Sequence, residues 1–292
     1  MLAIHTITLW ILNFSNSENY PIIINSVQTT QTERTVIYFM QNSKLEFHSP
    51  VHYFKWLFNQ LRDWPAQNYM LFWFSFGFQL CLLVSAKLTT VSVLTFIGTT
   101  LGVLCVLSIN ATKAINGYLG LLSAACFIYI SYTAKNYLAI FEQIAYILTL
   151  DIPVIFAVKS WNNDTKNHLR TFGAKQWAIA LIGTALVYVI SGYLIGRFTN
   201  DPRPWIDAIS FAISLTAGIM CFMRYNNQYW WWLSSGIFQL ILWTVTFAQG
   251  DATIAMAINS LVYVMNDVLA FTVSPWFNHG RKRQGLKAIS NH

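Results

Sequence analysis

Four carboxylates sit inside otherwise apolar stretches of this chain: Glu142, Asp151, Asp207 and Asp267. An ionised carboxylate is costly in hydrocarbon, so such residues face a bundle interior, a polar cavity or water. Asp207 stands two residues past the start of its stretch and is expected to stay wet. Glu142 also lies near the start of its stretch and is expected to reach an interface. Asp151 and Asp267 lie deeper, with no basic residue at that depth to pair with them. They either bond backbone, amide or hydroxyl groups between helices, or take part in substrate handling and gating.

Aromatic and amide residues form a second constellation. Tyr229, Trp232, Gly236, Gln239 and Trp243 recur at three- and four-residue intervals and so share one helix face. That face suits a flat, polar-edged ligand held by stacking, which on a nucleobase is worth roughly 1–3 kcal/mol. The adjacent Trp230 and Trp231 read instead as an interfacial belt, and the belt is the competing reading of Trp232. Gln143 and Tyr146, and further on Asn259, Tyr263 and Asn266, add buried polar groups. Such groups need partners, either in neighbouring helices or in a ligand. Tyr229, Trp232, Gly236, Gln239, Gln143, Tyr146, Asn259 and Asn266 are therefore the candidate substrate-binding residues, with Asp151 and Asp267 as gating or structural candidates.

Nothing in the chain points to catalysis. It has no G-x-x-x-x-G-K-[ST] loop, no H-E-x-x-H and no nucleophile elbow. All six histidines lie outside the apolar stretches. The four cysteines, Cys81, Cys105, Cys126 and Cys221, lie inside them without metal-type spacing and read as small core residues. No metal, cofactor or enzymatic activity is expected.

The elements that must position these residues are membrane helices. Of 292 residues, 55% are hydrophobic and only 10% charged, and mean hydropathy is +0.45. A soluble domain carries about 25% charged residues, so most of this chain cannot face water. Eight apolar runs stand out: Tyr69–Ala86, Val91–Ile109, Ile115–Tyr132, Tyr137–Val158, Trp177–Phe198, Trp205–Phe222, Trp230–Phe247 and Thr253–Trp276. Each approaches the ~20 residues a helix needs to cross the hydrocarbon. Strands of a barrel would not give runs this long, so the expected fold is an all-α integral membrane protein of eight transmembrane helices. Pro153 is expected to kink the fourth, and the small faces Gly98/Gly102 and Gly192/Gly196 to pack helices.

Fourteen of the 18 lysines and arginines fall on one side of this topology; only Lys87, Lys135, Arg197 and Arg203 fall on the other. The rule that cytoplasmic loops are basic then puts both termini in the cytoplasm of a multi-pass plasma-membrane protein. The net charge of +7 follows this loop pattern and does not mark a nucleic-acid binder. Residues 1–48 form an N-terminal extension, polar over much of its length. Residues 49–64 open with Ser49-Pro50, a good helix start, and carry Phe54, Leu57, Phe58 and Leu61 at helical spacing between Lys55 and Arg62. They are expected to form a helix in the membrane interface. The transmembrane domain spans 65–276, and 277–292 is a basic cytoplasmic tail.

A shift of 116 residues superposes eight identities over 55 positions: Ile97, Thr100, Gly102, Cys105, Asn110, Gly120, Ala139 and Asp151 fall on Ile213, Thr216, Gly218, Cys221, Asn226, Gly236, Ala255 and Asp267. Segment boundaries coincide as well. The core thus reads as two three-helix repeats, 91–158 and 205–276, around a linker helix at 177–198, with one extra helix before them. A single helix between the triplets makes them parallel. Transporters use such repeats, with substrate held near the midplane where the halves meet.

This 3+1+3 plan resembles that of SWEET-type sugar transporters and of the Pnu family of vitamin and nucleoside transporters. Further residues resemble the Pnu family from about Phe96 to Pro275: Gly98-Thr99-Thr100-Leu101-Gly102-Val103-Leu104-Cys105, then Lys113, Asn116, Gly120, Tyr137, Gln143 and Tyr146, then Arg224-Tyr225 ahead of the tryptophan cluster, and Asn266. Asn116 joins the gating or structural candidates on this ground. The family's nicotinamide riboside members carry W-x-x-W-x-x-x-N/D where this chain has Tyr229, Trp232 and Gly236, so only the second tryptophan is kept. The resemblance implies facilitated uptake of nicotinamide riboside, with thiamine, riboflavin or a deoxynucleoside as alternatives. It also implies trapping by a cytoplasmic kinase and assembly as a homotrimer in the lipid bilayer. A membrane receptor or assembly protein sharing the helical plan is the reading from another class. The absence of a sizeable soluble domain and the buried amides beside an aromatic face favour transport.

Overall fold

A computed structural model describes residues 50–156 and 170–274. The N-terminal extension, the C-terminal tail and Asp164, which the basic-residue pattern puts in a cytoplasmic loop, lie outside the described residues. Helices form at all eight apolar runs, preceded by a short helix α1, Pro50–Asn59. The long helices are α2 (Ala66–Ser85), α3 (Thr90–Asn110), α4 (Asn116–Thr133), α5 (Tyr137–Phe156), α6 (Ala174–Phe198), α7 (Pro204–Phe222), α8 (Gln228–Ala248) and α9 (Ile254–Val273). Seven are long and apolar enough to cross a membrane. The remaining one, α4, has 18 residues, among them Asn116, Ser123, Ser131 and three tyrosines, which lower its hydropathy.

Local chemistry sets the helix ends. Thr89 and Ser92 cap α3 reciprocally: the Thr89 hydroxyl accepts from the Ser92 N–H at 3.1 Å, and the Ser92 hydroxyl accepts from the Thr89 N–H at 2.8 Å. Pro204 opens α7, where its missing N–H costs nothing. α3, α4, α7 and α8 each end on a left-handed residue, at Thr112, Lys135, Arg224 and Gly250. In each case the next N–H reaches back five residues, for example Lys113 to the Ser108 carbonyl at 2.8 Å.

α5 is not uniform. Its middle, Ile147–Asp151, is a π-helical turn in which the Ile152 N–H donates to the Ile147 carbonyl, five residues back. The irregularity expected from Pro153 therefore takes the form of a widened turn just before the proline.

Six helices close a ring in which each touches the next: α3, α4, α5, α7, α8, α9 and back to α3. The other two long helices lie outside it in equivalent places. α2 packs on α3 and α9, and α6 packs on α7 and, lightly, on α5. Their outer faces, including Met70, Trp73 and Val84 on α2 and Ile182, Leu186 and Val189 on α6, are exposed and apolar, as lipid contact requires. α1 lies against the ring: Leu57 packs with Cys105, Ile115 and Leu119, while Phe54 and Phe58 point outward. The Tyr53 hydroxyl meets that of Tyr118 in a short hydrogen bond. Burial first, then the Tyr118 hydroxyl, raise the Tyr53 phenol above its usual range, so it stays protonated at neutral pH.

Candidate functional site

The ring encloses a cavity of about 150 Å³, far beyond the water-sized voids of a close-packed interior. All eight candidate binding residues line it, from three helices: Gln143 and Tyr146 on α5, Tyr229, Trp232, Gly236 and Gln239 on α8, and Asn259 and Asn266 on α9. Asn266 also ties α9 to α3 by accepting from the Asn110 amide at 3.3 Å. Asp151 and Asp267 are among the lining residues. Asn116 is not; its amide donates to the Lys113 carbonyl at 2.6 Å and shapes the turn ahead of α4.

Two carboxylates stand elsewhere than their sequence positions suggest. Glu142 is buried on the cavity wall, where α4 and α7 pack on the first turns of α5 and Gln239 reaches over from α8. It accepts from the Tyr146 hydroxyl at 2.9 Å and from the Gln239 amide at 2.9 and 2.7 Å; the Gln239 oxygen in turn accepts from the Trp243 indole at 3.0 Å. Asp207 is not wet but fully buried, accepting from the Leu138 N–H at 2.7 Å. The first turn of α7 packs there against the start of α5.

Arg203 gave no signal in the sequence beyond a basic residue between two prolines. It is 3% exposed and gathers three turns. Its guanidinium donates to Asn136 at 2.9 and 3.1 Å and to the Ala134 carbonyl at 2.6 Å, pairs with Asp251 at 3.0 Å, and meets Gln249 in a short contact. The α4–α5, α6–α7 and α8–α9 turns are thereby joined at one end of the ring.

Trp232 is half-buried. Its indole donates to Gln228 at 3.2 Å, and its ring lies 5.6 Å from that of Tyr146 at 53°. Tyr229 is only 2% exposed and packs its ring among Leu150, Val154 and Ala270, so the wall holds it from behind. Trp231 stacks on Trp177 of α6, away from the cavity.

The lining follows a numerical rule. On α5, Ala139, Glu142, Gln143 and Tyr146 fall on Met256, Asn259, Ser260 and Tyr263 of α9 at an offset of 117; Leu150 and Asp151 fall on Asn266 and Asp267 at 116. The offset drops by one across Ile147–Asp151, where the π turn takes up one extra residue. On α4, Gly120, Ser123 and Phe127 fall on Gly236, Gln239 and Trp243 of α8 at 116. Contacts repeat as well. A Cβ at Gly120 would collide with the Asp151 carboxylate, and one at Gly236 would stand 3.6 Å from the Asp267 carboxylate. A Cβ at Gly102 would collide with the Tyr263 hydroxyl, and one at Gly218 would meet the Tyr146 ring at 3.3 Å.

A helical membrane protein whose two helix sets wall a shared cavity of aromatics, amides and acids has the build of a small-solute transporter. The chain belongs to the family described as nicotinamide mononucleotide transporter, which matches residues 92–278. It is similar to the nicotinamide riboside transporter PnuC of Neisseria mucosa, with 24% identity over 185 residues covering 58% of this chain and 67% of that one. It is also similar to the PnuC of Haemophilus influenzae, with 24% identity over 171 residues covering 55% and 72%. The crystal structure of a vitamin B3 transporter PnuC shares the fold with a TM-score of 0.62, at 18% identity over 75% of this chain and 94% of that one.

Proposed function

We propose that the protein mediates facilitated uptake of nicotinamide riboside across the plasma membrane. The relatives named above supply the solute, and the composition of the cavity wall carries the choice among its forms. Glu142, Asp151 and Asp267 line the cavity, and among the described residues no lysine, arginine or histidine does. An anionic phosphate would enter without a basic partner beside three carboxyl groups, so the dephosphorylated nucleoside fits and the mononucleotide does not. The same asymmetry explains trapping: once a cytoplasmic kinase has added a phosphate, the product no longer fits the route by which it came.

Eight helices cross the membrane in this reading, and the ring consists of two parallel triplets, α3–α5 and α7–α9. The paired offsets and paired glycine contacts support that plan. Both termini face the cytoplasm, as the basic residues suggest, and the exposed apolar faces leave room for a homotrimer. In a cysteine-free background, a cysteine at position 135 should react with an impermeant reagent from outside intact cells; reaction at position 164 instead would invert the topology.

Purified protein in detergent should bind nicotinamide riboside in preference to its mononucleotide, thiamine, riboflavin and deoxynucleosides. Tighter binding of any of the others would redirect the assignment to that solute.

A further inference from the structure

The acids of the cavity are not equally occupied. Glu142 is satisfied by Tyr146 and Gln239. The Asp151 carboxyl, 4% exposed, has no hydrogen bond or ion pair among the described residues. The Asp267 carboxyl, 7% exposed, receives one long bond, 3.4 Å, from the adjacent Asn266 amide. Each stands against a glycine of the neighbouring helix, Gly120 or Gly236, which leaves room for the carboxyl where a larger residue would fill it. Both line the same cavity from opposite sides of the ring.

Independently, the Asn259 side-chain oxygen on that wall is buried and accepts no hydrogen bond among the described residues. A protein does not ordinarily leave a buried acceptor and two buried carboxyls with a single long hydrogen bond among them in one cavity. A ligand that brings positive charge and a donor matches these groups.

We propose that Asp151 and Asp267 select the solute by charge: the cavity takes a flat ring bearing a delocalised positive charge, held between the two carboxylates, with an amide N–H or hydroxyl given to Asn259. This rests on the nucleoside reading above and sharpens it. Of the two redox forms of nicotinamide riboside, the oxidised pyridinium cation is the solute and the reduced dihydropyridine, uncharged but nearly the same in shape, is not. Two carboxylates at a few ångströms in a site shielded from water suffice for a preference of about tenfold or more.

The test is equilibrium binding of both forms to purified wild-type protein and to Asp151→Asn, Asp267→Asn and the double variant, with thermal melting to confirm that each is folded. Wild type should prefer the cation by about tenfold or more, each single variant should narrow the ratio, and the double variant should bring it near unity. Equal binding of the two forms by wild type, a preference for the neutral form, or an unchanged ratio in the folded double variant would overturn charge selection while leaving the nucleoside reading in place. Binding of neither form would overturn both.

Discussion

At the scale of single residues, Trp232 is the side chain on which recognition should depend most. It is half-buried on the cavity wall, with its indole N–H committed to Gln228 and its ring tilted against Tyr146. A face is therefore left for a planar ligand. Trp232→Ala should weaken binding by about 1–3 kcal/mol, a factor of roughly 5 to 150, and Trp232→Phe should recover part of the loss. Trp231→Ala should matter less, because that ring stacks on Trp177 outside the ring of helices. Titration of the folded variants with labelled solute checks this; wild-type affinity in Trp232→Ala would return the residue to an interfacial role. Trp232 and its neighbours are legible in the sequence because three- and four-residue spacing puts them on one face whatever surrounds the helix. Glu142 is not. The sequence fixes its distance from a helix end, but its cover comes from Gln239, nearly a hundred residues away.

At the scale of elements, helix ends are legible to within about three residues, because lipid leaves a crossing segment little choice but an apolar helix. The turns between them are not. Arg203 looks like one more loop cation, yet it binds the α4–α5 and α8–α9 turns to its own. Arg203→Ala leaves Asn136, the Ala134 carbonyl and Asp251 without their shared donor. Asn136 and Ala134 are buried, and each buried acceptor left unpaired costs about 1–3 kcal/mol, so a marked fall in melting temperature in detergent is expected. Arg203→Lys should rescue little, since one ammonium cannot span the same acceptors. The π turn of α5 permits a second test. Tyr146 and Asp151 are five residues apart, whereas Tyr263 and Asp267 on α9 are four apart, and all four face the cavity. Five α-helical steps would turn Asp151 about 140° from Tyr146; the widened turn brings it back. Deleting the exposed Leu148 should convert the π turn to α-helix, keep both side chains on the wall and leave a folded, binding protein. Deleting Phe141, also exposed but upstream of the turn, should rotate Glu142 against the first turn of α5 and abolish binding. Equal damage from both deletions would mean that the π turn does not absorb the extra residue.

For the molecule as a whole, the ring and its two outer helices frame a solute path, and the sequence carries no nucleotide-binding loop to power it. With uptake facilitated, as proposed above, flux follows the electrochemical gradient of whatever crosses. If the two carboxylates remain charged and only the pyridinium cation moves, each transport event carries one positive charge. A potential of 100 mV, negative inside, is worth about 2.3 kcal/mol per charge and should concentrate the cation about fifty-fold at equilibrium. In liposomes of purified protein with no potential, labelled nicotinamide riboside should only equalise. Imposing a potassium diffusion potential should drive accumulation, and reversing its sign should drive expulsion. A pH gradient alone should do neither. Accumulation that follows the pH gradient and ignores the potential would mean that Asp151 or Asp267 returns a proton for every cation moved, and the protein would be an exchanger. The net positive charge of the loops does not bear on this result, because no basic residue among those described lines the cavity. The sign of the response is set by the charge of the solute that crosses.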